Sequence, residues 1–386
     1  MKVEILKENL KNGLNVVEKI VGKNLSLPIL DNVLISTEDN FLSLSSTDLE
    51  TAIKLWILTK IIKKGKVVVP AKFLSNFVSL LPNEKITLEE KKQGLYVECK
   101  SFKNQIQGFN PEEFPLIPEF KNLEYIEVDN KKFCQGLAQI VDIASPSQSR
   151  PEISGIYFIF SKNLIKIVAT DSFRLAEKSI ILDDDPGHPL GPTPKKDISF
   201  ILPQKPAREI INILGGPERD PAGKIKIYFS LNQTMFEFPM KEVPRPQIQI
   251  ISRLIEGEYP NYEEIIPKKF KTHVIVKRDD FLNQIKTASL FSGKINEVKI
   301  KINLQNKEVQ ISAQDPDIGE SQSIIPAKIE GEAIEASFNY KFLIDGLLNI
   351  KSSEVIFDLS KEEGPCMLKP VGDASYIYVV MPIKST

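Results

Sequence analysis

The sequence predicts an α+β fold built from one unit written three times, each copy two helices laid on antiparallel strands. Three recurrences predict it. A short alternating segment followed by an amphipathic helical stretch opens each copy. An alternating run that ends in a polar pair closed by Asp comes next, and a second strand followed by a second helical stretch comes third. The copies fall at residues 1–122, 123–255 and 256–386.

The opening segments are Val3–Leu6, Ile126–Val128 and Val274–Val276, whose alternation suits the edge of a half-buried sheet. The stretches that follow place Leu10, Leu14, Val17 and Val21 on one helix face in the first copy. They place Phe133, Leu137, Ile140 and Ile143 there in the second, and Phe281, Ile285 and Leu290 in the third. Spacings of three and four bring such residues together on a helix. The second recurrence is Phe41–Asp48, Leu164–Asp171 and, less closely, Val309–Asp315, each a strand running into a loop. The third is Val67–Pro70 leading into Lys72–Leu81, Phe200–Pro203 into Ala207–Leu214, and Ile334–Phe338 into Lys341–Ile350. Closing strands end near Pro115, Pro260 and Pro382. Pro- and Gly-rich stretches at 183–194 and 215–223 mark loops inserted in the middle copy.

Composition narrows the function by exclusion. The chain has 386 residues, 42% hydrophobic and 26% charged, which is enough apolar material for several cores. Its formal net charge of -1 means that no global positive field advertises a nucleic-acid partner. Cys99, Cys134 and Cys366 are far apart and form no C-x-x-C pair; with no secretory signal read at the N-terminus, a reduced cytoplasmic compartment is expected. No apolar run approaches bilayer length, so no membrane partner is expected. Gly22-Lys23 lacks the upstream glycine of a P-loop, neither G-x-G-x-x-G nor G-x-S-x-G occurs, and zinc-ligand spacing is missing. His188 lies beside three aspartates in the longer insertion, where a solvated loop outweighs a metal site, and His273 stands at a strand start. Asp48 and Asp171 could be paired carboxylates of a three-domain metal-dependent hydrolase. They occupy equivalent places in separate copies, so turn capping is the better reading. No catalytic residue, metal ligand or cofactor is assigned.

The string Val168-Ala-Thr-Asp-Ser-Phe-Arg-Leu-Ala176 resembles the A-T-D-(G/S)-H-R-L-A segment of bacterial DNA sliding clamps, the beta subunits of DNA polymerase III; Phe173 replaces the usual histidine. Leu27 through Asn32 is similar to that family's L-P-I-L-x-N, and Thr47 through Glu50 to its T-D-L-E. Gly257 through Tyr262 is similar to its G-x-(F/Y)-P-D-Y, Phe338-Asn339 to its F-N, and Tyr378 through Pro382 to its C-terminal Y-V-(V/M)-M-P. The matches run through the whole chain in order, and together they are specific where each alone is weak.

The resemblance implies three clamp domains closing with a second copy as a head-to-tail homodimeric ring around double-stranded DNA, held by topology and independent of sequence. That would explain the near-zero charge, because a ring needs only a mildly positive bore where a gripping protein is usually basic. DNA-facing candidates are Lys23, Asn24, Gln148 and Arg150 in loops, and Lys72, Lys131, Lys132, Lys205 and Arg208 on helices, with Lys7, Lys11, Lys277 and Lys341 also considered. A groove for short peptides is implied at Ile153, Thr170, Ser172, Phe173, Arg174, Leu175, Pro260, Ile265, Asn339, Val379, Val380, Met381, Pro382 and Ile383. Without the resemblance, Leu175 and Val379 read as core. The peptides would come from the replicative DNA polymerase alpha subunit, the clamp loader and other proteins with a clamp-binding motif. Phe173 makes its part of the groove more apolar, and Glu263-Glu264 makes the rim disfavour acidic peptides. The dimer interface is expected to set Lys103, Asn104 and Ile106 against a surface near Phe281 and Leu282. A clamp-like paralogue used for recruitment is the alternative within the same family.

Overall fold

The computed structural model describes residues 1–22, 26–120, 123–145, 149–182, 197–216, 223–241 and 243–384. The expectations for Lys23, Asn24, Gln148 and His188 lie outside the described residues.

The first copy runs β1 (Lys2–Leu6), α1 (Lys7–Val17), β2 (Asn32–Glu38), β3 (Phe41–Thr47), β4 (Thr51–Leu58), β5 (Lys60–Lys63), β6 (Lys66–Pro70), α2 (Ala71–Leu80), β7 (Lys85–Lys91), β8 (Gly94–Cys99) and β9 (Phe102–Gln107). The second runs β10 (Tyr125–Asp129), α3 (Asn130–Ala138), β11 (Gly155–Ser161), β12 (Leu164–Thr170), β13 (Arg174–Ile181), β14 (Ile198–Pro203), α4 (Gln204–Leu214), β15 (Lys224–Phe229), β16 (Gln233–Pro239) and β17 (Pro246–Arg253). The third runs β18 (Thr272–Lys277), α5 (Arg278–Ser289), β19 (Glu297–Asn303), β20 (Glu308–Asp315), β21 (Gly319–Pro326), β22 (Lys328–Gly331), β23 (Glu335–Asn339), α6 (Tyr340–Leu348), β24 (Glu354–Leu359), β25 (Cys366–Pro370) and β26 (Tyr376–Val380). The same order therefore appears three times, with the short strand of β5 and β22 lacking a described counterpart in the middle copy.

The chain packs as two compact units that cut across these copies. One comprises Met1–Gln135, Leu182–Lys196 and Lys205–Leu254; the other comprises Gly136–Ile181, Asp197–Gln204 and Ile255–Thr386. The reason is strand pairing. In the first unit β17 pairs antiparallel with β4, Ile250 opposite Ile53, so one eight-stranded sheet runs β10-β15-β16-β17-β4-β3-β2-β6. In the second, β13 pairs with β26, Leu175 opposite Val379, in a nine-stranded sheet β14-β11-β12-β13-β26-β25-β24-β18-β22. The remaining sheets are β5-β1-β7-β8-β9 in the first unit and β21-β20-β19-β23 in the second.

Helix cores follow the periodicity. Leu10, Leu14 and Val17 are buried on α1, Phe133 and Leu137 on α3, and Phe281 and Ile285 on α5. Close approach to the sheet explains two helix glycines. A Cβ at Gly13 would stand 2.6 Å from Ile57 Cδ1, and one at Gly346 would stand 2.7 Å from the Tyr378 ring. Helix starts are capped locally: Asp129 Oδ1 accepts from Lys132 N at α3, and Asn339 Oδ1 from Lys341 N at α6. Leu290 departs from expectation. Expected on the core face of α5, it is 70% exposed, because it follows Ile285 by five residues, roughly 140° round the helix at about 3.6 residues per turn, and stands just past the helix end at Ser289.

Candidate functional site

The site begins with a tight turn between β12 and β13. Thr170 Oγ1 donates to the Arg174 carbonyl at 2.7 Å, and Asp171 Oδ1 accepts from Phe173 N and Arg174 N, both at 3.0 Å. Ser172 sits between them with φ of 78°, a left-handed conformation. Asp171 thus caps a turn, and Asp48 does the same through Glu50 N and Thr51 N. Neither needs a metal to explain its place, and no group of three or more candidate metal ligands occurs among the described residues.

The turn presents Phe173 and fixes Arg174. Phe173 is 62% exposed, and its carbonyl accepts from Met381 N at 2.9 Å, which carries the C-terminal segment alongside. Ile383 bridges to Ser337 on β23, which brings that segment beside Asn339 and the start of α6. Arg174 is held from several sides. Nε donates to Asp171 Oδ2 at 2.9 Å, Nη1 pairs with Asp345 on α6, and Nη2 reaches the Asp142 carbonyl at 3.4 Å. Its guanidinium carbon lies 4.7 Å from the Phe342 ring centroid. Burial disfavours its charge, but Tyr378, Asp345 and Asp171 more than offset this and raise its pKa further above the ordinary value.

The connector after β17 supplies the other side. Tyr259 stacks on Tyr157 with ring centroids 4.6 Å apart, and the Tyr262 hydroxyl donates to Glu177 at 2.8 Å. Tyr262 joins Val168, Leu175, Met367 and Val379 in one apolar cluster. Pro260 lies between these anchored tyrosines, and Ile265 follows them with its side chain exposed. Phe173, Arg174, Met381, Pro382, Ile383 and Asn339 are therefore gathered by direct contacts or chain continuity. Leu175 and Val379 are fully buried in the cluster beneath, and Val380, Ile153, Thr170 and Pro382 are buried too. Those residues support the surface rather than form it.

Other expectations need correction. Arg150, expected in a DNA-facing loop, has an exposed side chain that donates to Ser172 Oγ at 3.3 Å and pairs with Glu152, so it also stands beside the turn. Lys7 is buried, 8% exposed, with its ammonium 3.5 Å from Glu8, and is no bore residue. Phe281 packs in the core against Phe357, and Leu282 is buried as well, so neither offers an interface surface. Ile106 is also core, while Lys103 and Asn104 are exposed on β9, an edge strand. Lys72, Lys131, Lys132, Lys205 and Arg208 lie exposed on helices. Lys205 is pinned to Asp48 at 2.6 Å. His273 shares the buried carboxylate of Asp358 with Lys369, at 2.5 and 2.8 Å. Phe342 and Asp345 were not foreseen; a helix periodicity from Asn339 would have put Phe342 one turn on, with Asp345 another three residues along.

Comparison with known proteins fits this arrangement. Family models of the DNA polymerase III beta subunit match in order: the N-terminal domain over residues 1–118, the central domain over 127–261 and the C-terminal domain over 263–384. The beta sliding clamp of Staphylococcus epidermidis is 28% identical over 396 residues, covering 100% of both chains. That of Synechococcus elongatus is 26% identical over 388 residues, covering 100% of this chain and 99% of its own. Among solved structures, the DNA polymerase sliding clamp from Bacillus subtilis superposes with a TM-score of 0.91 at 25% identity, over 100% of both chains. The DNA polymerase III beta subunit from Thermotoga maritima does so with a TM-score of 0.88 at 25% identity, also over 100% of both. With three domain models matched in sequence and full-length agreement with solved clamps, the chain belongs to the DNA polymerase III beta subunit family of bacterial sliding clamps and is a non-catalytic processivity factor of DNA replication.

Proposed function

We propose that the chain, organised as domains 1–122, 123–255 and 256–386, closes with a second copy into a head-to-tail ring around double-stranded DNA in the cytoplasm. The observation that carries this reading is the threefold recurrence of one α+β unit in a chain that matches clamps from end to end. Retention is topological. A net charge of -1 gives little electrostatic grip, and Lys72, Lys131, Lys132, Lys205 and Arg208 need only soften the passage of phosphates. Among the described residues no helix is long and apolar enough to cross a membrane.

Two open sheet edges suit ring closure. β9 ends one sheet and β21 ends another, both mostly exposed. Unpaired edges of this kind invite another strand. Exposed Leu290 and Ile318 lie at or next to the ends of α5 and β21, and Phe73 and Phe102 are exposed on α2 and β9. A β9-to-β21 contact between copies would cover such side chains twice, as a closed two-chain ring requires.

The surface formed by Phe173, Arg174, Met381 and Ile383, with Pro382 buried beneath it, is the proposed dock for peptides of the replicative DNA polymerase alpha subunit, the clamp loader and other clamp-binding proteins. The test is primer extension on a single-stranded circle by the polymerase with its loader. Adding the chain should lengthen products per binding event at least tenfold. Products of equal length with and without it would overturn the reading.

A further inference from the structure

The turn that displays Phe173 has a twin in the first unit, and the twin shows what the fold alone requires. Thr47 through Thr51 repeats the bonding of Thr170 through Arg174: Thr47 Oγ1 donates to the Thr51 carbonyl at 2.9 Å, Asp48 Oδ1 accepts from Glu50 N and Thr51 N, and Leu49 has φ of 76°. The carbonyl at the fourth position accepts a backbone N–H from the neighbouring chain segment in both, Arg253 N to Glu50 at 2.8 Å and Met381 N to Phe173 at 2.9 Å. The residue at that position in the twin is Glu50, a charged side chain within 3.8 Å of Arg253. The backbone therefore accepts a solvated, charged residue where the second unit exposes a phenyl ring.

Phe173 is not an isolated apolar residue. Its ring lies 6.3 Å from that of Phe342 and 21° from parallel, and the Arg174 guanidinium sits over Phe342. Asp171 and Asp345 hold that guanidinium. The Phe173 ring therefore has an aromatic neighbour that is itself held in place by the Arg174 guanidinium, and the ordering of Phe342 before any ligand arrives lowers the cost of binding.

We propose that Phe173 and Phe342 form an aromatic platform that makes this groove select peptides carrying an aromatic side chain over Phe173, in preference to a carboxamide. This rests on the reading of the surface as a peptide dock, with which the platform is continuous. Offset aromatic rings attract beyond the area they bury. A carboxamide laid there would lose water without gaining a partner from either phenyl ring.

The test uses the full chain and a decapeptide of the same organism's replicative polymerase alpha subunit, chosen as the tightest binder from a tiling of that subunit. Each position is replaced in turn by Phe and by Gln, and affinities are read by calorimetry. One position should favour Phe by roughly 3–10-fold. That ratio should fall to about one in Phe173→Glu, which places the twin's own residue on the turn, and in Phe342→Ala. Unchanged melting of Phe173→Glu separates lost selectivity from lost folding. A ratio that survives both substitutions, or no position favouring Phe, overturns the platform while leaving the dock in place. If no tiled peptide binds, the dock itself is wrong and the platform falls with it.

Discussion

The two twin turns share a backbone and differ in what they display. In the first unit Asp48 is tied to Lys205, Glu50 points to Arg253 and Thr51 is buried in β4. In the second unit the same positions carry Asp171 paired with Arg174, an exposed Phe173 and the clamped Arg174 itself. Both turns sit where a strand of one copy pairs with the last strand of the next, β4 with β17 and β13 with β26. Repetition therefore supplies the scaffold, and the two turns differ in the three side chains set upon it. The connectors differ in degree. In the first, partly buried Ile117 and Phe120 pack on Ala52, Met235 and Ile251 beside a cavity of about 450 Å³ lined by Glu38 and Lys54, whereas the tyrosine-rich connector after β17 buries Tyr262 among Val168, Leu175, Met367 and Val379.

The largest expected effect comes from exchanging the displays. Replacing Ser172, Phe173 and Arg174 by Leu, Glu and Thr, as at 49–51, should preserve the fold and lower peptide affinity at least a hundredfold by calorimetry. Retained affinity would mean that the turn is scaffold only. Next, Leu290→Glu should give folded monomers, whereas Phe281→Glu should unfold the second unit, since only the former side chain is exposed. Light scattering should read 43.5 kDa for the Leu290 variant and twice that for the native chain.

That pair of predictions also shows what was legible in the sequence. Spacings of three and four marked the buried helix faces because a helix against a sheet hides one stripe whatever its partner. The same periodicity put Phe281 in the core, which already excluded it from an interface. Leu290 broke the period: five residues after Ile285 and nine after Phe281, it falls on roughly the opposite helix face at about 3.6 residues per turn, which explains its exposure. The threefold unit was legible from local patterns. Its division into units joined by β4 with β17 and β13 with β26 was not, because strand partnership is a long-range choice that local alternation does not encode. At the site, Phe173 and Arg174 lie in one short string. Phe342 and Asp345 come from a distant helix, and Arg150 joins only through a loop contact, so spatial proximity alone reveals them.

Arg174→Ala should weaken peptides by about 1–2 kcal/mol, the scale of a hydrogen bond from a charged donor. Asp171→Ala should do the same indirectly, by losing the cap and the Arg174 partner. Asp48→Ala, its twin, should cost about 1 kcal/mol of stability with peptide affinity unchanged. Equal loss of affinity from both would erase the distinction between the turns.

The smallest effect concerns Glu38 in the first unit's cavity. Burial raises its pKa, but hydrogen bonds from Trp56 and Lys54 prevail and hold it below the ordinary glutamate value. A depressed carboxylate adds stability above its unfolded pKa and loses it as pH falls through the folded one. The chain's one tryptophan, Trp56, donates to Glu38 at 2.8 Å and should report this as an acid-induced fluorescence change. Glu38→Gln should remove that change; its persistence would assign it elsewhere.

Encirclement is tested most directly by loading the protein onto a nicked circular DNA, isolating the complex by gel filtration and then cutting the circle once. The chain should co-elute with the circle at moderate salt and leave after cutting. Combined substitution of Lys72, Lys131 and Lys205 should slow loading without shortening retention on circles. Equally fast release from circular and linear DNA would contradict topological retention.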